Sequence, residues 1–256
     1  MAKVYTFISG KGGVGKTSSA INIGTALNQL GEDVIIVDGN LTTPNIGIHL
    51  GSPIVPVTLN HVLKGDAKVE EAIYEHESGT KIMPASLSLS ESDKINYKRF
   101  IEIPKKLKKI TNHVIIDAPA GLGEEARATI EAADEIIIIT NPEMPAVTDA
   151  LKTIKLAEEM RKNVLGVIIN RYQGANTEMS ISNIKEMLEI PILGIIPEDI
   201  AVKESLAMKD AVIHTHPKSP AARSYRNTTK RILGEDFELE PLKLGFFGRV
   251  LRRLGL

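Results

Sequence analysis

The sequence predicts an α/β fold in which a mainly parallel β-sheet is flanked by helices on both faces. Short runs rich in valine and isoleucine alternate with longer segments of helical spacing, which is typical of a parallel sheet with crossover helices. Most of these runs are apolar at consecutive positions, as expected of strands that are covered on both faces. The 256 residues contain no internal repeat and no low-complexity linker, so we expect a single domain over residues 1–234.

The individual elements are predicted in chain order from the same patterns. The first helix is expected over Ala20–Leu30, where apolar residues share helical spacing, and Gly31 marks its end. Further helical patterns cover Ala146–Lys162 and Ile181–Leu188. Strands are predicted at Val4–Ser9, Asp33–Asp38, Lys81–Ser86, His113–Asp117, Glu135–Thr140, Val164–Asn170 and Ile192–Pro197.

The bulk composition excludes several classes of protein. A formal net charge of −1 provides no overall field that would draw the chain to nucleic acid or to a membrane. The chain has no cysteine, which rules out disulfides, thiolate chemistry and iron–sulfur clusters held by thiolates. No run reaches the roughly 18 apolar residues of a spanning helix, and the apolar run before Gly10 is too short for a signal peptide. We therefore expect a soluble, cytoplasmic chain.

The segment GKGGVGKT, Gly10–Thr17, matches the phosphate-binding pattern G-x-x-x-x-G-K-[ST] between a predicted strand and a predicted helix. Its glycines let backbone N–H groups turn towards phosphate oxygens, and the helix that begins near Lys16 adds its N-terminal dipole. Lys16 is expected to reach the β- and γ-phosphates, and the Thr17 hydroxyl to bind Mg²⁺. A glycine-rich turn with incidental lysines is the alternative. The residues predicted to contact the nucleotide here are Gly10, Lys11, Gly12, Gly13, Val14, Gly15, Lys16, Thr17 and Ser18.

Two aspartates follow two of the predicted strands directly. Asp38 ends the second strand and Asp117 ends the strand that begins at His113. Because ligands of parallel sheets sit beyond the carboxyl ends of the strands, both acids are expected in the same crevice as the phosphate loop. We expect Thr17, Asp38 and Asp117 to form the Mg²⁺ site, with Asp117 acting through water as a Walker B aspartate. Each aspartate taken alone could instead cap a strand-to-loop turn.

The stretch Lys11–Thr17, K-G-G-x-G-K-T, resembles the deviant Walker A motif of the ParA/MinD ATPases. In that family the additional lysine, here Lys11, reaches the nucleotide of a second subunit across a dimer that encloses two ATP molecules. The resemblance implies a P-loop NTPase fold, ATP and Mg²⁺ as cofactors, and a homodimer whose assembly depends on ATP. The spacing alone says only that a second cation lies near the phosphates.

The resemblance extends over essentially the whole chain and is close to the MinD branch of the family. The segments that carry it are DAPAGLG, TNPE, NRY and IPEDIAVKESLAMKDAVI. It implies that Gly121 lets the backbone approach the γ-phosphate and that Asn170, Pro197 and Glu198 hold adenine. The sequence has no N-K-x-D segment for reading guanine, which also favours ATP.

One position departs from the family pattern. The first switch of the family usually reads D-x-D, and its second acid is implicated in placing the attacking water, whereas this chain has Asp38-Gly39-Asn40. An amide can orient a water but is a very poor proton acceptor. With Lys11, Lys16, Asp38 and Asn40 as the catalytic set, we expect ATP binding and dimerisation to persist while hydrolysis is slow. Alternatively, Asp38 or a water network covers the role.

The C-terminal segment combines an acidic linker, residues 235–241, with a basic amphipathic helix predicted over 242–256. Leucines, phenylalanines and a valine occupy one side of that helix and arginines the other, which suits the surface of an anionic membrane. It also lies where MinD proteins carry a membrane-targeting helix, so Leu242–Leu256 is expected to hold the chain at the inner face of the cell membrane. A terminal helix that packs on the domain or on a partner protein is the alternative.

The expected function is therefore an ATP-dependent, membrane-associated ATPase switch that positions other proteins, with a partner or activator that the sequence does not name. A first rival is a ParA-like DNA-partitioning ATPase, whose basic face would have to come from Lys105–Lys109 or Tyr225–Arg231. We interpret both segments as solvated helix faces, so nucleic-acid binding is not expected. A second rival is a nucleotide-dependent membrane scaffold that barely hydrolyses ATP.

Overall fold

The computed structural model describes residues 2–88, 91 and 96–235 of the chain. Residues 236–241 of the predicted linker and the helix predicted over 242–256 lie outside this part. Within the described residues, eight strands form one sheet in the order β3-β4-β2-β5-β1-β6-β7-β8 when they are numbered along the chain. The strands are β1 Lys3–Ser9, β2 Val34–Asp38, β3 Tyr74–Glu75, β4 Lys81–Met83, β5 His113–Ala120, β6 Glu135–Thr140, β7 Asn163–Tyr172 and β8 Ile192–Pro197.

Every pairing in this sheet is parallel except the edge pair of β3 with β4. The mainly parallel sheet predicted from the apolar runs is therefore confirmed. The edge strand β3 was missed, because a strand of two residues is too short to show an alternating pattern. The strand predicted over Lys81–Ser86 is shorter than expected and ends at Met83.

Helices cover both faces of the sheet. The first begins at Lys16, four residues before its predicted apolar stripe, and the long helix predicted over Ala146–Lys162 runs from Met144 to Glu159. A 3₁₀ turn occupies Val69–Ala72. The α-helices are α1 Lys16–Gln29, α2 Ile46–His49, α3 Leu59–Lys64, α4 Tyr97–Phe100, α5 Glu102–Leu107, α6 Glu124–Ala132, α7 Met144–Glu159, α8 Ile181–Leu188, α9 Ile200–Ala207, α10 Val212–Thr215 and α11 Pro220–Ile232.

Successive residues of the strands enter different parts of the core. On β1, Phe7 packs with apolar residues of α1, α10 and α11, whereas Ile8 packs with residues of α6, α7 and α8. The outer part of this second face is filled by α3 and α5 against β2 and β4. Because the central strands are covered on both faces, they have to be apolar at consecutive positions, which explains the runs seen in the sequence.

The strand order places the carboxyl end of β1 at the centre of the sheet. From β1 the chain first builds β2, β4 and β3 on one side of the sheet. It then returns to place β5 beside β1 and builds β6, β7 and β8 on the other side. Crevices for ligands form beyond the strand ends at such a reversal. In the part of the chain that the structure describes, every helix is too short or too polar to traverse a bilayer.

One interpretation of a helix face was wrong. The segment Tyr225–Arg231 was read as a solvated surface, but it belongs to α11, which packs along β8 and α1. Tyr225, Thr228 and Thr229 are buried there, and the Tyr225 ring is fully enclosed. The polar residues of this segment do not indicate solvent exposure. The hydroxyls of Thr228 and Thr229 donate to carbonyls one turn earlier in their own helix, so they are satisfied without water.

Candidate functional site

The phosphate loop, residues 10–17, connects β1 to α1 at the centre of the sheet. α1 begins at Lys16, so the first backbone N–H groups of a 14-residue helix point towards the loop. Gly15 precedes the helix with a φ of 88°, a left-handed conformation that favours glycine. A side chain at this position would also place its Cβ 2.0 Å from Nδ2 of Asn170. Gly15 is therefore required both by its backbone conformation and by its neighbour.

The loop is held from behind by two amides. Asn170 is buried near the end of β7 and its Nδ2 donates to the Val14 carbonyl at 2.8 Å. The amide nitrogen of Asn141, in the orientation that satisfies its neighbours, donates to the same carbonyl at 3.1 Å. Sequence analysis expected Asn170 at the adenine and did not single out Asn141, although Asn141 lies in the quoted TNPE segment. The structure assigns both amides a contact with the phosphate loop.

Asp117 is the point on which the loop converges. Its Oδ1 lies 2.7 Å from Lys16 Nζ, and its Oδ2 accepts a hydrogen bond from the Thr17 hydroxyl at 2.6 Å. The Asp117 side chain has no exposed surface, and that of Lys16 is 9% exposed. We call Lys16, Thr17 and Asp117 the Asp117 cluster. Three residues that the sequence predicted for phosphate and metal binding are thus in direct contact.

Asp38 lies beside Asp117 on the neighbouring strand. The two residues are paired in the register of β2 and β5, and both are fully buried. Burial and then the Asp117 charge raise the pKa of Asp38 to about 7, although backbone N–H groups of residues 40, 45 and 46 donate to its carboxylate and act in the opposite direction. Asp38 therefore lies next to the predicted metal site while it also anchors the loop that follows it.

The donor set at this point suits Mg²⁺. Thr17 supplies a hydroxyl oxygen, and Asp117 and Asp38 supply carboxylate oxygens, which are the hard ligands that this ion takes. Among the described side chains, no group of three or more His, Asp or Glu could hold a metal. Mg²⁺ is usually bound by one or two carboxylates together with phosphate oxygens rather than by a cage of protein groups.

The segment that follows β2, residues 39–45, is called the Asn40 loop. Asn40 is buried and its side chain closes a ring with Thr43: Nδ2 donates to the Thr43 carbonyl at 2.6 Å, and Oδ1 accepts from Thr43 N and Thr43 Oγ1, each at 3.1 Å. Both acceptor positions of the amide oxygen are therefore used inside the loop. The structure places Asn40 at the site, where its side chain stabilises the conformation of its own loop.

A cavity of about 570 Å³ opens above the Asp117 cluster, and we call it the P-loop cavity. His49 of α2 lines it, and burial lowers the pKa of this histidine. Glu125 of α6 also lines it, and sequence analysis missed both residues. The full lining is Ser9, Gly12, Gly13, Gly15, Lys16, Thr17, Ser18, Asn40, Thr42, Thr43, Asn45, His49, Pro119, Ala120 and Glu125.

Lys11 differs from the other lysine of the loop. Its side chain is 48% exposed, and Nζ lies 3.8 Å from a carboxylate oxygen of Glu143, which is 59% exposed. This is a loose surface contact, of a kind that contributes little to stability. Gly121, in the loop after β5, has a φ of 90°, and its N–H donates to the Ser9 carbonyl, so this glycine lies directly beside the end of β1.

The residues expected at the adenine lie at the carboxyl ends of β7 and β8. Pro197 ends β8 and is paired in register with Tyr172 of β7. Glu198 follows, and its carboxylate contacts Arg171 Nε at 2.8 Å and Lys203 Nζ at 3.4 Å. Burial acts to raise the pKa of Glu198, but the bonds from these two cations outweigh it and lower that pKa. The structure brings Pro197 and Glu198 to the same edge of the sheet as Asn170.

The chain can now be compared with known proteins. Residues 5–212 match the family model of the CobQ/CobB/MinD/ParA nucleotide binding domain. An uncharacterised ATP-binding protein of Methanocaldococcus jannaschii is 33% identical over 256 residues, which cover 99% of this chain and 97% of that protein.

Solved structures extend the similarity to the fold. The septum site-determining protein MinD of Pyrococcus horikoshii, complexed with Mg-ADP, is 30% identical with a TM-score of 0.87 and coverage of 97% of this chain and 99% of that one. A chain of the MinC:MinD cell division protein complex of Aquifex aeolicus is 30% identical with a TM-score of 0.85, over 94% of this chain and 99% of that one. The chain therefore belongs to the MinD branch of the MinD/ParA family of P-loop ATPases.

Proposed function

We propose that this chain is an ATP-driven switch of the MinD type, which forms a homodimer around two ATP molecules, attaches to a membrane and positions components of cell division. The observation that carries the proposal is the Asp117 cluster at the base of the P-loop cavity. Lys16 and Thr17 bind phosphate oxygens and Mg²⁺ once ATP is present, and Asp117 and Asp38 supply carboxylates to the ion. Mg²⁺ held by these residues would supply positive charge that stabilises the negative charge developing during phosphoryl transfer.

The dimer part of the proposal rests on Lys11. This lysine is part of the phosphate loop, yet its side chain is 48% exposed, and within the described part of the chain its ion pair is the loose contact with Glu143. A cation in such a place can reach a phosphate of a second copy without breaking a buried ion pair. The family resemblance of K-G-G-x-G-K-T assigns it this role.

Slow hydrolysis follows from the chemistry at position 40. Asn40 is a very poor proton acceptor, and both acceptor positions of its oxygen are already used by Thr43. The role of the missing acid therefore falls to other groups around the cavity, and turnover is slow. Measured turnover should rise in Asn40→Asp, and an unchanged rate would show that this position does not limit hydrolysis.

Membrane attachment is assigned to the predicted helix Leu242–Leu256. A single short amphipathic helix binds a bilayer weakly, but two copies held in one dimer bind with the advantage of multivalency. ATP-dependent dimerisation would thereby control attachment to the inner face of the cell membrane. The Aquifex aeolicus relative is part of a MinC:MinD complex, so the proposal includes a protein partner that binds the dimeric form of this chain.

The decisive experiment follows ATP turnover with and without anionic liposomes, while light scattering reports the dimer. The wild type should dimerise and sediment with the liposomes in ATP, but stay monomeric and unbound in ADP. Lys11→Ala should bind ATP and remain monomeric and unbound. Lys105→Ala is the matched control, because Lys105 is an exposed lysine that pairs only at the surface with Glu102. Equal liposome binding in ATP and ADP would remove the switch from the proposal.

The DNA-partitioning alternative has little support from the described surface. In the segment Lys105–Lys109, Lys105 is paired with Glu102, Lys108 with Asp134, and Leu107 is buried. A basic face that is already interleaved with acids is a poor match for phosphates of a duplex. ATP-dependent, salt-sensitive gel shifts would revive this alternative, and the absence of any turnover would instead favour a scaffold.

A further inference from the structure

Glu125 is the one acid among the described residues that line the P-loop cavity. Asp38 and Asp117 have no exposed surface and do not belong to the lining of the cavity. Glu125 lies in the first turn of α6, eight residues after Asp117 and close to the end of the loop that contains Gly121. It therefore presents a carboxylate to the cavity from the segment that follows β5.

The Glu125 carboxylate contacts the Asn40 loop with both oxygens. Oε1 accepts from the backbone N–H of Leu41 at 2.5 Å and of Thr42 at 3.2 Å, and Oε2 accepts from the Thr42 hydroxyl at 3.0 Å. Hydrogen bonds to an ionised acceptor are about twice as strong as neutral ones. Three of them on one carboxylate join the segment after β2 to the segment after β5, although 84 positions separate Leu41 from Glu125.

The inner side of the same loop is occupied by other groups. The Asp38 carboxylate accepts three backbone N–H groups, and the Asn40 oxygen accepts two donors from Thr43. Glu125 supplies the corresponding contacts from the outer side. The position of residue 40 above the Asp117 cluster thus depends on a side chain that belongs to α6.

The charge of residue 40 also affects Glu125, and here residue 40 is neutral. Asn40 directly precedes Leu41, whose N–H donates to Glu125, and residues 40 and 125 both line the cavity, so an acid at position 40 would add a second carboxylate to that lining. Like charges at such a site repel each other. The neutral amide at position 40 avoids this repulsion, and it allows Glu125 to stay on the loop.

We infer that Glu125 is a positioning residue for ATP hydrolysis, which holds the Asn40 loop in place over the phosphate site and makes a neutral residue at position 40 favourable. The inference rests on the proposed ATPase function and extends it to α6. Glu125 acts through the Asn40 loop: it sets the position of residue 40 and of the other loop residues that line the P-loop cavity. Glu125 does not change the position of the phosphate loop. Loss of Glu125 should therefore reduce turnover and leave nucleotide affinity nearly unchanged.

The test compares turnover and equilibrium binding of a fluorescent ATP analogue for the wild type, Glu125→Gln and Glu124→Gln. Glu124 is the matched control, because it is exposed and lies in the same first turn of α6, so both changes remove equal charge from one helix N-terminus. We expect Glu125→Gln to lower kcat about tenfold. Affinity should stay within about twofold of the wild type, and Glu124→Gln should match the wild type in both measurements.

A second comparison tests the coupling of positions 40 and 125. The gain in turnover caused by Asn40→Asp should be at least about fivefold larger in the Glu125→Gln background than in the wild-type background, because contacting residues are not additive. Effects that simply multiply would contradict the inference, as would an equal loss in Glu124→Gln or a parallel loss of affinity. If Glu125→Gln does not fold, Thr42→Val replaces it, since this change removes only the hydroxyl bond to Oε2 and should lower kcat by a smaller factor. A wild type that fails to bind ATP would contradict the proposed function itself.

Discussion

The Asp117 cluster and the Asn40 loop lie side by side above neighbouring strands, but they are held together in different ways. In the cluster, a buried carboxylate is paired with a lysine and a hydroxyl from the phosphate loop. In the loop, an amide and backbone groups bond to one another and to the Asp38 carboxylate, and Glu125 adds a second carboxylate from another element. The cluster is therefore governed by charge balance, whereas the loop is governed by hydrogen bonds that a distant helix completes.

This difference separates binding from turnover. The groups in the cluster already lie where phosphate and Mg²⁺ are expected, so a change there should act on stability and on ATP binding together. The Asn40 loop forms part of the lining of the P-loop cavity, and changes in this loop should act mainly on the rate of hydrolysis. The three predictions below test this separation, from the largest expected effect to the smallest.

Lys16→Ala should have the largest effect. It leaves the buried Asp117 carboxylate without its cationic partner, which is expected to cost about 3–5 kcal/mol in the free energy of unfolding. ATP binding should be lost as well. Urea unfolding and equilibrium nucleotide binding measure the two effects, and Lys105→Ala, at an exposed ion pair, should stay within about 0.5 kcal/mol of the wild type. Equal stability of the two variants would contradict the charge balance that we assign to the cluster.

Asp38 should make the stability of the nucleotide-free chain depend on pH. Its pKa is about 7 in the folded chain against 3.8 as the ordinary value, so the folded state holds a proton that the unfolded state has lost over this interval. The stabilisation is complete below pH 3.8 and is lost as the pH rises to about 7. Between about pH 5 and about pH 8 the wild type should lose roughly 2 kcal/mol more than Asp38→Asn.

Urea unfolding of both chains at the two pH values measures that difference. Parallel pH profiles would show that Asp38 is ionised in the folded chain. Adding Mg-ATP should reduce the pH dependence of the wild type, because a cation beside the two carboxylates favours their ionised forms.

Thr43→Val should have the smallest effect. It removes the hydroxyl that donates to Asn40 Oδ1, while the backbone N–H of residue 43 still donates to the same oxygen. The expected cost is about 1 kcal/mol or less, because one neutral hydrogen bond at an exposed position is lost. ATP affinity and kcat should each remain within about twofold of the wild type. A large drop in affinity would show that the loop and the cluster are not separable.

Much of this site could be predicted from the sequence, because the signals are local. Gly10–Thr17 and the apolar runs that lead to Asp38 and Asp117 contain their own evidence, although β5 continues beyond its predicted end at Asp117 to Ala120. Glu125 could not be found in this way. It is one of several acids on a helix, and its contact with Leu41 depends on two loops that meet only when β2 and β5 pair. Tyr225 was misjudged for the same reason, since only the packing of α11 buries it.

The sequence by itself determined most of the strand and helix pattern, the phosphate loop with its two lysines, the acids Asp38 and Asp117 in two of the strands and the neutral residue at position 40. Only the tertiary structure decided which of these groups contact one another. Burial and pairing arise from the order of the strands. No local pattern in the sequence therefore indicates that Asp117 is enclosed, that Asp38 lies beside it, or that Glu125 accepts hydrogen bonds from the Asn40 loop. The phosphate loop supplies the chemistry of the site. The pairing of β5 with β1 and β2 decides how each charge in the site is balanced.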